Sequence, residues 1–336
     1  MTKGAGRFEY YLIQLDTLLQ QSRQEENPAL FLYQHDARTK LFMLEGLSKL
    51  YSGLHDKKLF SKLEDGFKLL EDLLGSVDYY DAFAKDFLAD PEMPSTIRMA
   101  MEQRRDEKLA DMNVVLKKKK WLSAKRPRTK KIRRKLAKAH WKEPVKEIKL
   151  ILDFYEDSIN NINGFFDSLG GKFTDIETQV HSLRRKLRWL SIYPQALQGA
   201  IQLADNDIPD PEINKYLTPE IINSPFNKLP AQNDNEIVLL LEKNYFLALS
   251  YMIAGLGKLK DAGLRIIATA EAVQITQFVN REAAMQRAFE LNKTGDTGSN
   301  TIMQKAMELC KPYFEEKKLG KIVAATSYPT SNVTEL

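Results

Sequence analysis

The sequence predicts an all-α protein in which long helices form two pseudo-symmetric bundles. Three observations support this fold class. Apolar residues recur at helical spacing along most of the chain, alternating strand patterns of useful length are absent, and several sequence elements occur twice in the same order. With 336 residues, of which 43% are hydrophobic, the chain has enough apolar residues for a packed core and differs from a disordered chain.

The first expected helix, 8–21, illustrates the periodicity. Leu12, Leu15, Leu18 and Leu19 lie on one stripe of it, which can pack against a core. The same periodicity predicts further helices along the chain. Their expected ranges are 28–51, 57–88, 95–120, 129–168, 173–204, 234–261, 263–292 and 297–318.

Proline marks the main interruption between these helices. Residues 205–235 contain five of the 13 prolines, and proline lacks the backbone donor that a helix needs. We expect a long surface connection there with one short helix, and a loose tail at 326–336. The expected domain organisation is a first helical half-repeat at 1–125 and a second at 126–325.

Charge is segregated along the chain. The net charge is +5, but no acidic residue lies between Asp111 and Glu143, and that interval holds 14 of the 50 lysine and arginine residues. The rest of the chain has 36 basic and 45 acidic residues, a balance of −9. A block of charge +14 in an otherwise acidic protein indicates a polyanionic partner.

The expected helix that contains QVHSLRRKLRWLSIYP has a strongly cationic face. His181, Arg184, Arg185 and Arg188 fall within an arc of about 100°, because each residue turns a helix by about 100°. The opposite side of this helix is apolar and is expected to face a core. No carboxylate interrupts the arc, so we expect an external anion to neutralise these cations.

The basic block provides another candidate surface. Lys131, Arg134 and Lys138 are expected to share one face of a helix whose other side carries a short apolar stripe. Arginine grips phosphate oxygens with two donors, whereas lysine acts as a mobile point charge. Three tryptophans lie in or beside the cationic segments, where this residue either stacks on bases or packs at an interface. They are Trp121, Trp141 and Trp189.

Several sequence elements are repeated in the same order. The pattern H-x-x-R-x-K occurs at 35–40 and again at 181–186. Each copy follows an amphipathic helix and precedes a Leu-Gly element, LLGSVDYYD at 73–81 and GLGKLKDAG at 255–263. Because the order recurs as well as the elements, we expect an internal duplication.

Other classes of function find little support in the sequence. Cys310 is the only cysteine, and the four histidines lack metal-ligand spacing, so no metal or other cofactor is expected. No glycine-rich phosphate loop or nucleophile motif is present, so we do not expect an enzyme. The apolar runs are too short for a membrane span, and Glu9 and Asp16 interrupt the place of a signal peptide. We therefore expect a cytoplasmic protein with no membrane association.

Some of these features also have simpler explanations. An ordinary solvated helix would also show a cationic face like that of the helix at 179–194. His35 or His181 alone is also typical of a hydrogen-bonded structural residue. Residues 117–131 would also serve as a flexible tether. Their joint occurrence with segregated charge favours anion binding.

The repeated motifs resemble those of a known family. HDARTK at 35–40 and HSLRRKLRW at 181–189 look like the two signature helices of the conserved histidine α-helical domain (CHAD) family, and the Leu-Gly elements resemble its paired elements. The resemblance covers about 7–315 and implies two helical bundles around a basic groove or pore that binds inorganic polyphosphate without chemistry. It also implies that the groove is lined by His35, Arg38, Lys40, His181, Arg184, Lys186 and Arg188.

The chain departs from the family pattern in several places. Phe42, Met43 and Trp189 stand where the signature helices continue with cations, and Asp78 stands where the first Leu-Gly element usually has an arginine. The E-x-E-x-K mark of the triphosphate-processing domain that is often fused to the family is absent. The resemblance therefore implies weaker binding by the first half.

The sequence thus favours non-catalytic binding of a phosphate-rich polyanion, most of all inorganic polyphosphate. Two alternatives remain open, which are nucleic-acid binding through 117–142 and a helical scaffold that docks acidic protein partners. The candidate polyanion-binding residues are His35, Arg38, Lys40, Lys131, Arg134, Lys138, His181, Arg184, Arg185, Lys186 and Arg188.

Overall fold

A computed structural model describes residues 3–205, 210–232, 237–293 and 298–327. Most of these residues are helical, which confirms the predicted class in its main feature, and a small sheet that was not predicted is also present. The chain divides into two compact units, and each is described by itself below. The first unit is Met1–Lys49, Lys58–Ala139 and Asp261–Ile302, and the second is Leu50–Lys57, His140–Lys260 and Met303–Leu336.

The described residues form twelve α-helices and three strands. The helices are α1 (Lys3–Ser22), α2 (Pro28–Gln34), α3 (Ala37–Leu54), α4 (Lys57–Ala89), α5 (Ser95–Lys118), α6 (Arg128–Leu136), α7 (Pro144–Asp167), α8 (Ser182–Ala196), α9 (Pro219–Ile222), α10 (Lys243–Gln277), α11 (Arg281–Leu291) and α12 (Gly298–Glu315). The strands are β1 (Ile201–Ala204), β2 (Val238–Glu242) and β3 (Val323–Ser327).

Aromatic and aliphatic side chains fill the core of the first unit. Phe8, Leu12 and Leu15 of α1 are buried, as are Phe60 and Phe67 of α4. The rings of Phe8 and Phe60 lie 5.8 Å apart. Burial of each such side chain contributes about 1.5–3 kcal/mol, so the apolar stripe predicted for the first helix positions α1 in the core.

Two predicted helices are each divided in two. The helix expected at 28–51 is interrupted at Asp36, whose φ is +55°, a left-handed conformation that aspartate tolerates better than most residues. The helix expected at 129–168 ends at Leu136, and α7 begins at Pro144, since proline is favoured at the first helical position. The expectation of one long helix through the basic block is therefore wrong.

The small sheet lies in the second unit. Strand β1 is parallel to β2, with Ile201 opposite Leu239, and β2 is antiparallel to β3, with Leu240 opposite Ala325. A tight turn at Gly199, with φ of +87°, leads from α8 into β1. A β-carbon there would lie 2.1 Å from the carbonyl oxygen of Ala231, so only glycine fits. Four- and five-residue strands are too short to show a period in sequence.

The predicted connection at 205–235 is partly described. Between residues 210 and 232 it consists of α9 and two short 3-10 turns, Pro211–Tyr216 and Pro225–Asn227. Residues 206–209 and 233–236 lie outside the described residues. Of the predicted tail, Thr326 and Ser327 belong to β3, and residues 328–336 lie outside the described residues.

The two helices predicted at 234–261 and 263–292 also differ from those in the structure. Helix α10 runs without interruption through Gly263, where a break was expected, and ends before Phe278, whose φ is +54°. None of the helices in the described part of the chain combines the length and apolar character that a membrane span requires.

A buried ion pair ties the start of the Pro-rich connection to the C-terminal part of the second unit. Lys318 is 3% exposed, and its Nζ lies 2.8 Å from Oδ2 of Asp210, which also accepts a hydrogen bond of 2.7 Å from the hydroxyl of Tyr245. These donors lower the pKa of Asp210 to about 2. Because a carboxylate with a lowered pKa stabilises the folded state above its unfolded pKa, this contribution is lost as the pH falls from about 4 to about 2.

Replacing Asp210 by Asn should destabilise the protein by about 1–2 kcal/mol at pH 7, because the buried Lys318 loses its nearest anion. The loss is smaller than for a fully buried pair, since Asp210 keeps about a fifth of its surface exposed. Urea denaturation from pH 7 to pH 2 should show the wild-type and variant stabilities converging in acid. The control Glu212→Gln removes an exposed carboxylate 3.4 Å from Lys215 and should change stability by less than about 0.5 kcal/mol. Equal losses in both variants would contradict the assignment.

Candidate basic surface

The basic segment, defined here as residues 117–138, connects α5 to α6 in the first unit. Helix α5 ends at Lys118, and Lys120 turns the chain with a φ of +64°. The backbone N–H of Trp121 then donates to Leu116, and that of Arg128 donates to Lys120. These two hydrogen bonds fix the backbone of the loop that connects α5 to α6.

Apolar side chains hold the segment on the core. Trp121 is 1% exposed, and Ile132 and Leu136 of α6 are also buried. The apolar stripe predicted at Ile132, Leu136 and Ala139 is therefore confirmed for Ile132 and Leu136, whereas Ala139 lies beyond the end of α6. A helix as short as α6 is marginal by itself, so this burial is what allows so cationic a segment to stay helical.

An arginine fork anchors α6 to α1. The Nε of Arg133 donates to both carboxylate oxygens of Glu9, at 2.9 and 2.8 Å, and its Nη1 bonds Asp16. Burial alone disfavours the Arg133 charge, but these hydrogen bonds outweigh it and raise the pKa of the guanidinium. One inward cation of α6 is thus neutralised by two carboxylates from another helix.

The other cations of the segment face solvent without such partners. Ten of them are exposed, and none forms an ion pair with a described residue. They are Lys117, Lys118, Lys119, Lys120, Lys125, Arg126, Lys130, Lys131, Arg134 and Lys138. Several arginines elsewhere in the same unit are paired, as in the 2.6 Å contact of Arg265 with Asp86. These ten cations of the basic segment therefore form a surface that no described carboxylate neutralises.

The predicted residues of this segment are only partly on one helix. Lys131 and Arg134 lie on the exposed side of α6, as expected. Lys138 lies beyond the end of α6, because the chain leaves the helix after Leu136, so the expected three-residue helical face is wrong. All three side chains are nevertheless exposed on the same short segment.

The first H-x-x-R-x-K motif is neutralised within the first unit. Arg38 pairs with Glu71 at 2.9 Å and with Asp78 at 2.6 Å, and Lys40 pairs with Asp36 at 2.6 Å. His35 is the residue after α2, and its Nδ1 lies 2.8 Å from the carbonyl oxygen of Phe31. The expectation that His35, Arg38 and Lys40 share one helix is therefore wrong, since Asp36 separates α2 from α3.

The second motif lies in the second unit and begins with an unusual turn. Residues Ile176–His181 form a π-helical turn that leads into α8. The Nδ1 of His181 lies 2.8 Å from Oε1 of Glu177, four residues earlier. The expectation that no carboxylate accompanies this cationic face is therefore wrong at His181. π-Helical turns occur frequently at functional sites.

The four cations of α8 are in different environments. Arg184 is partly buried, and its Nε donates to the carbonyl of Ile253 at 3.2 Å. Arg185 and Lys186 are exposed, and Lys186 lies over the ring of Phe165 at 5.2 Å. Arg188 is half-buried on the same helix. The exposed pair is the part of α8 most open to a solvent-borne anion.

Arg128 of the basic segment was not among the predicted binding residues. Arg128, the first residue of α6, lies with its guanidinium carbon 5.1 Å from the centre of the Trp121 ring. Its position depends on the packing of α4 and on a buried tryptophan. The sequence contains no local signal that distinguishes Arg128 from the cations around it.

Comparison of the chain with protein-family models, with curated proteins and with solved structures finds no match. Within the described residues, no cluster of histidine, cysteine, aspartate or glutamate is arranged to hold a metal ion.

Replacing Arg133 by Met should lower the free energy of unfolding by about 1–2 kcal/mol, because Glu9 and Asp16 lose a shared, partly buried partner. The adjacent Arg134→Met is the matched control. Arg134 is exposed and has no ion pair with a described residue, so its change should stay within about 0.5 kcal/mol. Chemical denaturation of both variants measures the difference, and similar losses would argue against the anchoring role of Arg133.

Proposed function

We propose that this protein binds polyanions without acting on them chemically, and that its preferred ligand is inorganic polyphosphate. The main binding surface is the basic segment. Arg185 and Lys186 of α8 form a second, weaker surface in the second unit.

The main support for the proposal is that ten exposed cations between residues 117 and 138 form no ion pair with any residue in the described part of the chain. Like charges at this spacing repel one another, so the surface holds a dense layer of small counter-ions. A charged polymer that replaces this layer releases the counter-ions, and the gain grows with the number of contacts. Affinity therefore does not require a shaped pocket.

The burial of the tryptophan favours polyphosphate over single-stranded nucleic acid. Bases bind non-specifically by stacking on exposed aromatic rings. Trp121 is the only aromatic residue between positions 117 and 138, and it is buried. Trp141, which also lies in the interval of the nucleic-acid alternative, is half-buried and packs edge-on against Tyr51 and His55. The segment therefore offers charge but no stacking surface, which suits a ligand that consists of phosphate alone.

Two equivalent contacts support the internal duplication and the proposed relationship to the CHAD family. In the first unit Arg38 lies over Gly75, where a β-carbon would be 2.8 Å from its Nη2. In the second unit Arg184 lies over Gly257, where a β-carbon would be 3.1 Å from its Nε. In each unit the arginine of H-x-x-R-x-K thus meets the glycine of the Leu-Gly element.

The first copy of the motif takes little part in binding. Glu71 and Asp78 already satisfy Arg38, and Asp36 satisfies Lys40. A ligand phosphate would have to displace these carboxylates. Each cation would then exchange one anionic partner for another, with no net gain in electrostatic free energy. This agrees with the weaker first half that the departures from the family motif imply.

Changing Lys131, Arg134 and Lys138 together to Gln should weaken binding of long-chain polyphosphate about tenfold. The estimate takes about 0.5 kcal/mol for each exposed contact and 1.4 kcal/mol for each factor of ten. Titration over a range of salt concentrations should also show a shallower dependence of affinity on salt, because fewer counter-ions are released.

The control variant removes the same charge from cations that already have carboxylate partners in the first unit. Lys68, Lys108 and Arg287 pair with Asp72, Asp111 and Glu290, respectively. Changing these three to Gln should leave affinity within about twofold. If both triple variants lose affinity equally, net charge rather than the basic segment determines binding.

Competition experiments separate the proposed ligand from the alternatives. Polyphosphate, duplex DNA, single-stranded RNA and poly-glutamate are compared at equal charge concentration. A preference for either nucleic acid would favour the nucleic-acid function, and equal binding of poly-glutamate would favour the docking of acidic proteins. The absence of binding to every polymer at low salt would reject the proposal.

The double change Arg185→Gln and Lys186→Gln tests the contribution of α8. It should weaken polyphosphate binding about fivefold, since two exposed cations are removed. Unchanged affinity would restrict the binding surface to the basic segment. The measurement uses the same titration and the same salt series.

A further inference from the structure

Arg128 is held in a defined position in the first unit. Its guanidinium lies over the buried Trp121 ring at 5.1 Å. It also lies against α4 at Gly66, where a β-carbon would be 2.8 Å from its Nη2. The Trp121 ring contacts the planar guanidinium, and the absence of a side chain at Gly66 leaves room for it.

This guanidinium has no carboxylate partner among the described residues. It is half-buried, and burial lowers the pKa of Arg128 with no charged group opposing the effect. A partly desolvated cation ordinarily pairs with an anion, as Arg133 does with Glu9 and Asp16. Arg128 therefore lacks the anion that its environment favours.

Helix α4 provides an internal comparison. It presents two glycines beneath two arginines, Gly75 beneath Arg38 and Gly66 beneath Arg128. At Gly75, carboxylates from α4 itself complete the site, since Glu71 and Asp78 bind Arg38. At Gly66 no carboxylate lies within ion-pair distance of Arg128 in the described part of the unit.

We propose that Arg128 is a phosphate-binding residue, whose fork donates two N–H groups to oxygens of one phosphate group of the bound polyanion. This inference rests on the proposed function and assigns a fixed contact within it. The surrounding lysines bind phosphates as mobile charges, whereas Arg128 binds in one orientation because Trp121 and Gly66 hold its plane.

The first test preserves charge and removes the fork. Arg128→Lys should weaken binding of long-chain polyphosphate about tenfold, while the slope of affinity against salt stays the same, since no charge is lost. The matched control is Arg287→Lys, because Arg287 is an exposed arginine of the same unit that lies outside the basic segment and pairs with Glu290. Its affinity should stay within about twofold of the wild type.

The second test displaces the guanidinium without changing it. Gly66→Ala places a methyl group 2.8 Å from Nη2 of Arg128, so the side chain must move, and the variant should bind polyphosphate about tenfold more weakly. Helix propensity favours alanine over glycine, so a loss of fold does not explain weaker binding. Gly75→Ala displaces Arg38 by the same geometry and should leave affinity unchanged.

A spectroscopic readout locates the contact. In a Trp141→Phe/Trp189→Phe background, the emission of Trp121 should change on titration with long-chain polyphosphate, and Arg128→Lys should remove most of that change. Circular dichroism and the unfolding midpoint are measured for each variant. A change in emission that persists at full amplitude in Arg128→Lys would count against the contact.

The outcomes distinguish the two proposals. If the wild type binds polyphosphate and Arg128→Lys loses no more affinity than Arg287→Lys, or Gly66→Ala no more than Gly75→Ala, the Arg128 contact is wrong and the general function stands. If the wild type binds no polyanion at low salt, the proposed function and the inference that rests on it are both overturned. Selective losses in Arg128→Lys and Gly66→Ala establish the contact.

Discussion

The docking of α6 onto α1 is the constraint on which the basic surface depends. Arg133 places its charge between Glu9 and Asp16, and Ile132 and Leu136 bury the apolar side of the same short helix. A nine-residue segment rich in like charges would not remain helical by itself. Because the inner face of α6 is neutralised and buried in this way, the helix stays docked and its outward-facing cations remain exposed to water.

In the first unit, the cations of the candidate surface differ from paired cations such as Arg38 in having no carboxylate partner among the described residues. Arg38 and Arg128 are chemically identical and both lie over glycines of α4. Two carboxylates reach Arg38, one of them Asp78, and none reaches Arg128 among the described residues. An arginine that is already paired stabilises the fold, whereas an unpaired one is open to a ligand.

Local signals predicted the helices well and their interruptions poorly. Helices α4 and α5 begin at the predicted residues and end within about two residues of the predicted ends, because helical periodicity accumulates over many turns. The left-handed Asp36 and the uninterrupted passage of α10 through Gly263 were missed, since single residues adopt either conformation according to their packing. The sheet was missed because its strands are too short to show a pattern.

The sequence by itself determined that the protein is mainly helical and that its positive charge is concentrated between residues 117 and 142. Both are properties of neighbouring residues and need no knowledge of the fold. Only the tertiary structure decided how arginines such as Arg38 and Arg133 are neutralised, because their carboxylate partners come from distant positions. Glu9 reaches Arg133 across 124 residues, and no spacing rule connects them. The candidate surface is what remains after that long-range pairing is complete.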